Sequence, residues 1–338
     1  MATLNQSYPT LLDLAKQSDY TGTVVADIIE MLADTNLILQ DIPFMECNNG
    51  TKHLTTMRSG IPQPTWRRLY EGVQPLKGTN VQVEDTCGML ESWSEVDAKL
   101  VDLSNNPRQF RLNEATAFIE GMNREMADAL FNGDTDTDPE KFMGFGPRFD
   151  STTADNGGQV VLGGGSGADN TSIWMVVWGP RTVHGLYPKG SKAGLSRDDK
   201  GKTTKENSNG SLYDVFREKF TWDVGLTVRD WRYVVRIANI DVSAMAAGST
   251  DVLGLLRQGY WKLKQRQITG GRAAIYANAN VCEALDAQTT PTMNSGGSTV
   301  AGNIRLSRAE ADGKEVMAYR GIPIRECDAI GNAEAIVS

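Results

Sequence analysis

Catalysis needs a nucleophile beside a base, a set of metal ligands, or a cradle of backbone amides. This chain offers few places for any of them. It has two histidines, His53 and His184, in different segments. No H-E-x-x-H zinc helix and no G-x-S-x-G nucleophile turn occurs. A thiol–imidazole pair could be drawn only from Cys47 or Cys87 with His53, and structural thiols are the simpler expectation. Cys47, Cys87, Cys282 and Cys327 form no CxxC pair, so neither a zinc knuckle nor a redox motif is supported. Asp134, Asp136 and Asp138 open like a calcium loop. The sixth position, however, is Pro139 where a glycine must turn, and the twelfth is Phe145 where a bidentate carboxylate must close the site. A solvated acidic turn is expected. The stretch SRDDKGKT (196–203) comes near a phosphate loop, but Ser196 replaces its first glycine and no helix-forming stripe follows. The glycines of 151–170 lack dinucleotide spacing, and that segment is expected to be a flexible surface loop. The remaining carboxylates are scattered, and no acid–base pair can be argued from them. The expectation is a non-enzyme with no cofactor and no resident metal.

Composition narrows the alternatives. At 338 residues the chain should fold as two or more lobes. A formal charge of −8 speaks against a dedicated nucleic-acid binder. No apolar run approaches the ~20 residues of a membrane span. The opening MATLNQSYPT has neither a basic region nor an apolar core, so secretion is not expected and reduced thiols are.

The elements that would position function are unusual in their reach. Asn113–Phe131 carries Ala115, Phe118, Ile119, Met122, Met126, Ala129 and Leu130 at helical steps. Asn113 can cap this helix and Gly133 can end it. Residues 1–45 read as an arm with two short amphipathic helices, too short to bury their stripes on each other. Lys52–Arg58 and Val81–Leu90 read as two strands of a long hairpin. Its tip holds Pro62, Pro64, Pro75, Trp66, Arg67, Arg68 and Tyr70. A two-stranded ribbon is marginally stable alone, and Trp, Tyr and Arg are the types that anchor interfaces. The ribbon is therefore expected to finish on a neighbouring chain. Further strands are expected at Ile173–Trp178, Arg181–Tyr187, Trp222–Arg229 and Trp231–Ile240, with an exposed charged insertion loop at 185–212. Asp251–Gln267 and Asn278–Asp286 should be helices. Arg272–Tyr276, Ile304–Leu306 and Lys314–Tyr319 should be strands, followed by a GIPIREC hairpin partner.

In that order, the chain resembles the major capsid proteins of tailed bacteriophages with the Hong Kong 97-type fold. It is most similar to those of short-tailed phages of the epsilon-fifteen and Bordetella phage type. The phrases that carry the resemblance are YPTLLDLAK (8–16), MRSGIPQPTWRRLYEGVQP (57–75), CGMLESWSEVD (87–97), FIEGMNREMADALFNGD (118–134), DPEKFMGF (138–145) and YRGIPIRECDAI (319–330).

The resemblance implies an α+β chain with an N-terminal arm (1–45) and an extended hairpin loop (46–95). A peripheral domain (96–245) would hold the spine helix 113–131, and 246–338 would be mainly the axial domain. The strand-rich block 173–240 precedes the axial-type helix. Either the connections are permuted or the lobe boundary lies elsewhere. The implied function is a head-shell protein that self-assembles into pentamers and hexamers around double-stranded DNA, which it touches weakly and without sequence preference. Its implied place is the virion, after assembly in the host bacterial cytoplasm. Decoration, scaffolding and portal proteins are the further partners implied, with 151–170 and 185–212 as candidate docking surfaces, and no membrane. The alternative is an encapsulin-like nanocompartment shell. Candidate inter-subunit contacts are Arg58, Trp66, Arg67, Arg68, Tyr70, Glu84 and Asp85.

Overall fold

The computed structural model describes residues 37–104, 106–264, 271–289, 292–293, 299–300, 306–311 and 314–338. The two arm helices expected before residue 37 lie outside the described residues. The chain divides into two units. The first comprises residues 89–127 and 192–223, and the second comprises 36–88, 128–191 and 224–338.

The larger unit is built on a sheet. Its strands are β1 (Phe44–Glu46), β2 (Lys52–Gly60), the start of β3 (Thr79–Asp97), β4 (Val160–Leu162), β5 (Asn170–Trp178), β6 (Val183–Tyr187), the end of β8 (Leu212–Val228), β9 (Val234–Asp241), β10 (Arg272–Ala277), β13 (Leu306–Ala311), β14 (Lys314–Tyr319) and β15 (Ile322–Glu326). Strand β7 (Ser196–Glu206) belongs to the smaller unit, and β11 (Thr292–Met293) pairs only with β12 (Thr299–Val300). β5 is the centre, with all nine residues buried. It runs antiparallel to β9 on one side and to β10 on the other, and β10 pairs in parallel with β15.

Strand alternation gives β5 two different faces. Ile173, Met175 and Val177 join Ile237, Ile275 and the helix side chains Val252, Leu256, Val281 and Leu285 in an aliphatic core. Trp174 and Trp178 face the other way, among Phe131, Phe145, Phe149 and Tyr276, with ring centroids 5.7–6.4 Å apart. The helices on the aliphatic side are Val252–Lys262 and Ala279–Thr289. Asp251 caps the first by accepting from Gly254 N–H at 2.8 Å, and Asn278 caps the second by accepting from Val281 N–H at 3.0 Å. Because β5 and β9 share this one core with both later helices, the boundary expected at 245/246 passes through a packed interior.

The end of the expected arm is stitched into the same unit. Asp41, 5% exposed, accepts from Arg272 at 2.9 Å, from Arg325 at 3.3 Å and from the Tyr276 hydroxyl at 2.9 Å. The Tyr276 hydroxyl in turn accepts from Trp178 Nε1 at 2.7 Å. Burial, then the Asp41 carboxylate, pushes the Tyr276 hydroxyl well above its ordinary pKa. Tyr276 is therefore a fixed donor to Asp41.

Part of the glycine-rich stretch expected to be a flexible loop is packed. β4 pairs in parallel with β9, and Gly163 and Gly165 follow it against the Asn239 carbonyl. A Cβ at Gly165 would lie 2.8 Å from that oxygen and 2.4 Å from the Asn170 side chain. These glycines permit close approach of two backbones, a role that composition does not separate from flexibility.

The smaller unit holds residues 107–127 of the long helix, which runs Pro107–Asn132. The helix starts six residues before the expected cap at Asn113. Asn106 is the cap, its side chain accepting from Gln109 N–H at 3.3 Å, and Pro107 takes the first helical position. The expected insertion loop at 185–212 is also corrected. Residues 185–187 close β6, and β7 forms an antiparallel hairpin with β8 that turns at Asn207–Ser211. Its solvent face is charged on nearly every residue, so no apolar alternation marked it. Ion pairs hold it instead. Arg111 bridges Asp199 at 2.8 Å and Glu218, and Arg197 joins Glu218 at 2.6 Å. Glu95 takes Lys205 and, at 2.7 Å, Arg217. Burial raises the Glu95 carboxyl, but these two cations together hold it below its ordinary value.

Candidate assembly interface

The ribbon of β2 and β3 is anchored at its root and unburied at its tip. At the root, strand pairing sets His53 opposite Asp85 and Thr55 opposite Val83. His53, Thr55 and Asp85 are 4–6% exposed, so one ribbon face points inward while Lys52 and Glu84 pair on the outside. The Asp85 carboxylate accepts from Arg148 Nη2 at 2.7 Å and from the Thr227 hydroxyl. Arg148 also donates to the Met143 carbonyl at 3.1 Å, the Gly144 carbonyl at 3.2 Å and the Leu226 carbonyl at 3.3 Å. One guanidinium thus ties the ribbon root to β8 and to the segment after the long helix. Two more bonds fix the loop before β2: Gly190 N–H to Glu46 at 2.8 Å and Lys189 N–H to the Gly50 carbonyl at 2.9 Å.

His184, on β6, is fully buried and meets His53 edge to face at 5.7 Å. Burial, then the neighbouring His53 and Arg229, lowers the His184 pKa to about 4. Burial and Arg229 lower that of His53 as well. Both rings are neutral near pH 7.

Beyond Thr56 the ribbon leaves this support. β2 and β3 stay paired to Gly60 and Thr79, with an irregularity between Arg58 and Gly60. Residues 61–78 have no regular structure and every one but Gly78 is exposed. Trp66 and Tyr70 are 101% exposed, Leu69 85% and Ile61 79%. With Val73 and Leu76, the tip carries six of the fifteen large apolar side chains that lie exposed among the described residues. Exposed large apolar side chains gathered in one 18-residue stretch are what a contact surface presents. Arg67, Arg68 and Lys77 face a single carboxylate, Glu71, so the tip is cationic on a chain of charge −8. Arg67 Nε donates to the Glu71 carbonyl at 3.1 Å, which gathers the two arginines at a turn.

The structure therefore sorts the expected contact residues. Trp66, Arg67, Arg68 and Tyr70 cluster on the exposed tip. Arg58 sits on β2 opposite Asn80, and Glu84 lies outside the root paired with Lys52. Asp85 is a correction: its carboxylate is buried and spent on Arg148 and Thr227 of its own chain. The sequence carried no mark of Arg148, Thr227 or His184 as the root's partners, since each lies at least 60 residues away. The acidic run at 134–138 is a closed turn, with Asp136 N–H donating to the Asp134 side chain at 2.9 Å and Asp138 N–H to its carbonyl at 2.9 Å. Among the described residues, no group of three or more His, Cys, Asp or Glu side chains could hold a metal ion.

The chain is similar to a cryo-EM structure of bacteriophage Epsilon15, at 37% identity and a TM-score of 0.76 over 100% of this chain and 99% of that one. It also matches the capsid of bacteriophage JBD30 at 10% identity and a TM-score of 0.48, over 88% of this chain and 91% of that one. A third match is the holo-SrpI encapsulin complex from Synechococcus elongatus PCC 7942, at 12% and 0.44 over 66% and 96%. No curated protein matches. The alignment with the Epsilon15 chain, end to end, defines a shell-building subunit of the Hong Kong 97-type capsid fold. The chain belongs to the family Major capsid protein GP7, whose model matches residues 19–338. It is a structural, non-enzymatic component of the virion of a tailed phage, and copies of it associate into an icosahedral shell.

Proposed function

We propose that the ribbon tip, residues 61–78, lies across an adjacent subunit and is the contact that commits subunits to the shell. Trp66 and Tyr70 bury against the neighbour. Arg67 and Arg68 pair with its carboxylates, and Arg58 and Glu84 contribute along the ribbon's flanks. The observation that carries this reading is the exposure of Trp66 and Tyr70 at 101%, on a chain that buries Trp174, Trp178, Phe131, Phe145, Phe149 and Tyr276. Pentamers and hexamers repeat the contact, so individually modest interactions add through multivalency. The acidic balance suits a container that holds double-stranded DNA with weak, non-specific contact. The tip of the β7–β8 hairpin, at 207–211, is an exposed surface on which a decoration protein could dock.

A photo-reactive phenylalanine analogue at Tyr70 tests the reading. In assembled shells it should capture a second subunit, and in unassembled protein it should capture none. Capture confined to its own chain in the shell would overturn the proposal.

A further inference from the structure

Cys47 and Cys87 are 40 residues apart in sequence, yet their Sγ atoms lie 3.4 Å apart. Both backbones are pinned. Cys47 N–H donates to the Tyr187 carbonyl at 2.9 Å, fixing it to the end of β6, and Cys87 N–H donates to the Thr51 carbonyl at 3.2 Å, fixing it beside β2. A disulfide needs an S–S distance of about 2.05 Å, so the sulfurs must close by roughly 1.4 Å. Cys47 is 2% exposed and Cys87 is partly buried, so Cys87 is the more accessible residue of the two.

We propose that Cys47 and Cys87 are a disulfide-forming pair that closes when the shell passes from reducing to oxidising surroundings, locking the root of the ribbon. A virion component makes that passage, because disulfides persist outside the cell and not within it. The oxidant is a low-molecular-weight disulfide. The Cys87 thiolate attacks one of its sulfurs, the S–S bond breaks, and one small thiol leaves. Cys47 then loses its proton and attacks Cys87 Sγ, which expels the second small thiol. The two protein thiols give up two electrons and two protons, and the small disulfide is reduced to two thiols. Burial raises the Cys47 thiol, so the second step should quicken with rising pH. The bond encloses the whole ribbon in one covalent loop and leaves the tip free, so it restrains the unfolded chain without altering the contact surface.

The test uses full-length subunits and assembled shells, incubated with oxidised glutathione, alkylated, then denatured. Titratable thiols should fall from four to two, and a non-reducing peptide map should show Cys47 joined to Cys87. The unfolding midpoint of the subunit should rise by several degrees and return on reduction. A Cys282→Ser, Cys327→Ser variant should retain all of this, whereas Cys47→Ser and, separately, Cys87→Ser should each abolish it. Four surviving thiols, glutathione retained on Cys87 without closure, or a link between two chains would each overturn the proposal.

Discussion

Truncating Trp66 should separate assembly from folding. The side chain is 101% exposed in the single chain, so Trp66→Ala removes no contact on which the fold depends. Subunit stability should shift by no more than about 0.5 kcal/mol, as at other surface sites. In the shell the ring is expected to bury about 150–250 Å², worth roughly 4–6 kcal/mol at about 25 cal/mol per Å². Ordering the side chain offsets about 0.5–1.5 kcal/mol of that. Alanine retains some of the contact, so a loss of about 3 kcal/mol per ribbon is the working figure, within the range of interface hot spots. On the proposed arrangement each subunit lays down one ribbon and receives one, so this loss counts once per subunit. It should raise the concentration at which shells appear by roughly 100-fold. Sedimentation of a concentration series reads the threshold, and thermal melting of unassembled protein reads the fold. An unchanged threshold would refute the tip as an anchor. A melting point several degrees lower in the unassembled subunit would show that the ring packs on its own chain.

The root should respond in the opposite way. Arg148→Met strands the buried Asp85 carboxylate and should cost about 3–5 kcal/mol of subunit stability in a urea titration, with Asp85→Asn in the same chain recovering part of it. Acid should loosen the root as well. Unfolded histidines take up protons near pH 6.5, whereas folded His184 resists until about pH 4, so the contribution of His184 is complete above pH 6.5 and is lost progressively as the pH falls towards 4. The loss is about 3 kcal/mol for that shift, and His184→Asn should flatten the urea midpoint across this window.

Some of this was legible in the sequence for definite reasons. β5 and β9 are runs of β-branched and aromatic residues long enough to read as strands, and the apolar stripe from Val252 to Leu263 reads as a helix. The ribbon was readable because its two strands flank a proline-broken tip rich in Trp, Arg and Tyr. β7 was not readable, because SRDDKGKTTKE is stabilised by ion pairs with Glu218, Asp214 and Glu95 that exist only after folding. Pattern reading scores apolar periodicity, and this strand has none. Asp85 was misassigned for a related reason. A carboxylate on a ribbon looks solvent-facing until the register places it on the inward side, and its partner Arg148 lies 63 residues away. Gly163 and Gly165 were read as flexible because the same residue serves mobile loops and close backbone contact.

The ribbon therefore has two ends governed by different terms. The inward ends of its strands are ordered by groups of the same chain: a guanidinium shared among four acceptor groups, a buried carboxylate and two neutral imidazoles. These fix the direction in which the strands leave the body. The outward end holds apolar rings and three cations, with only Glu71 as a local counter-charge. A two-stranded ribbon gains little stability by itself, so a rigid root is what lets a tip of this kind be presented and not collapse. Ordering the root during folding also means that less entropy remains to be lost when the tip docks, and pre-organisation of that kind strengthens association without adding a contact. On this account a mutation at Arg148 weakens assembly only by loosening the subunit, and a mutation at Trp66 weakens assembly while leaving subunit stability within about 0.5 kcal/mol.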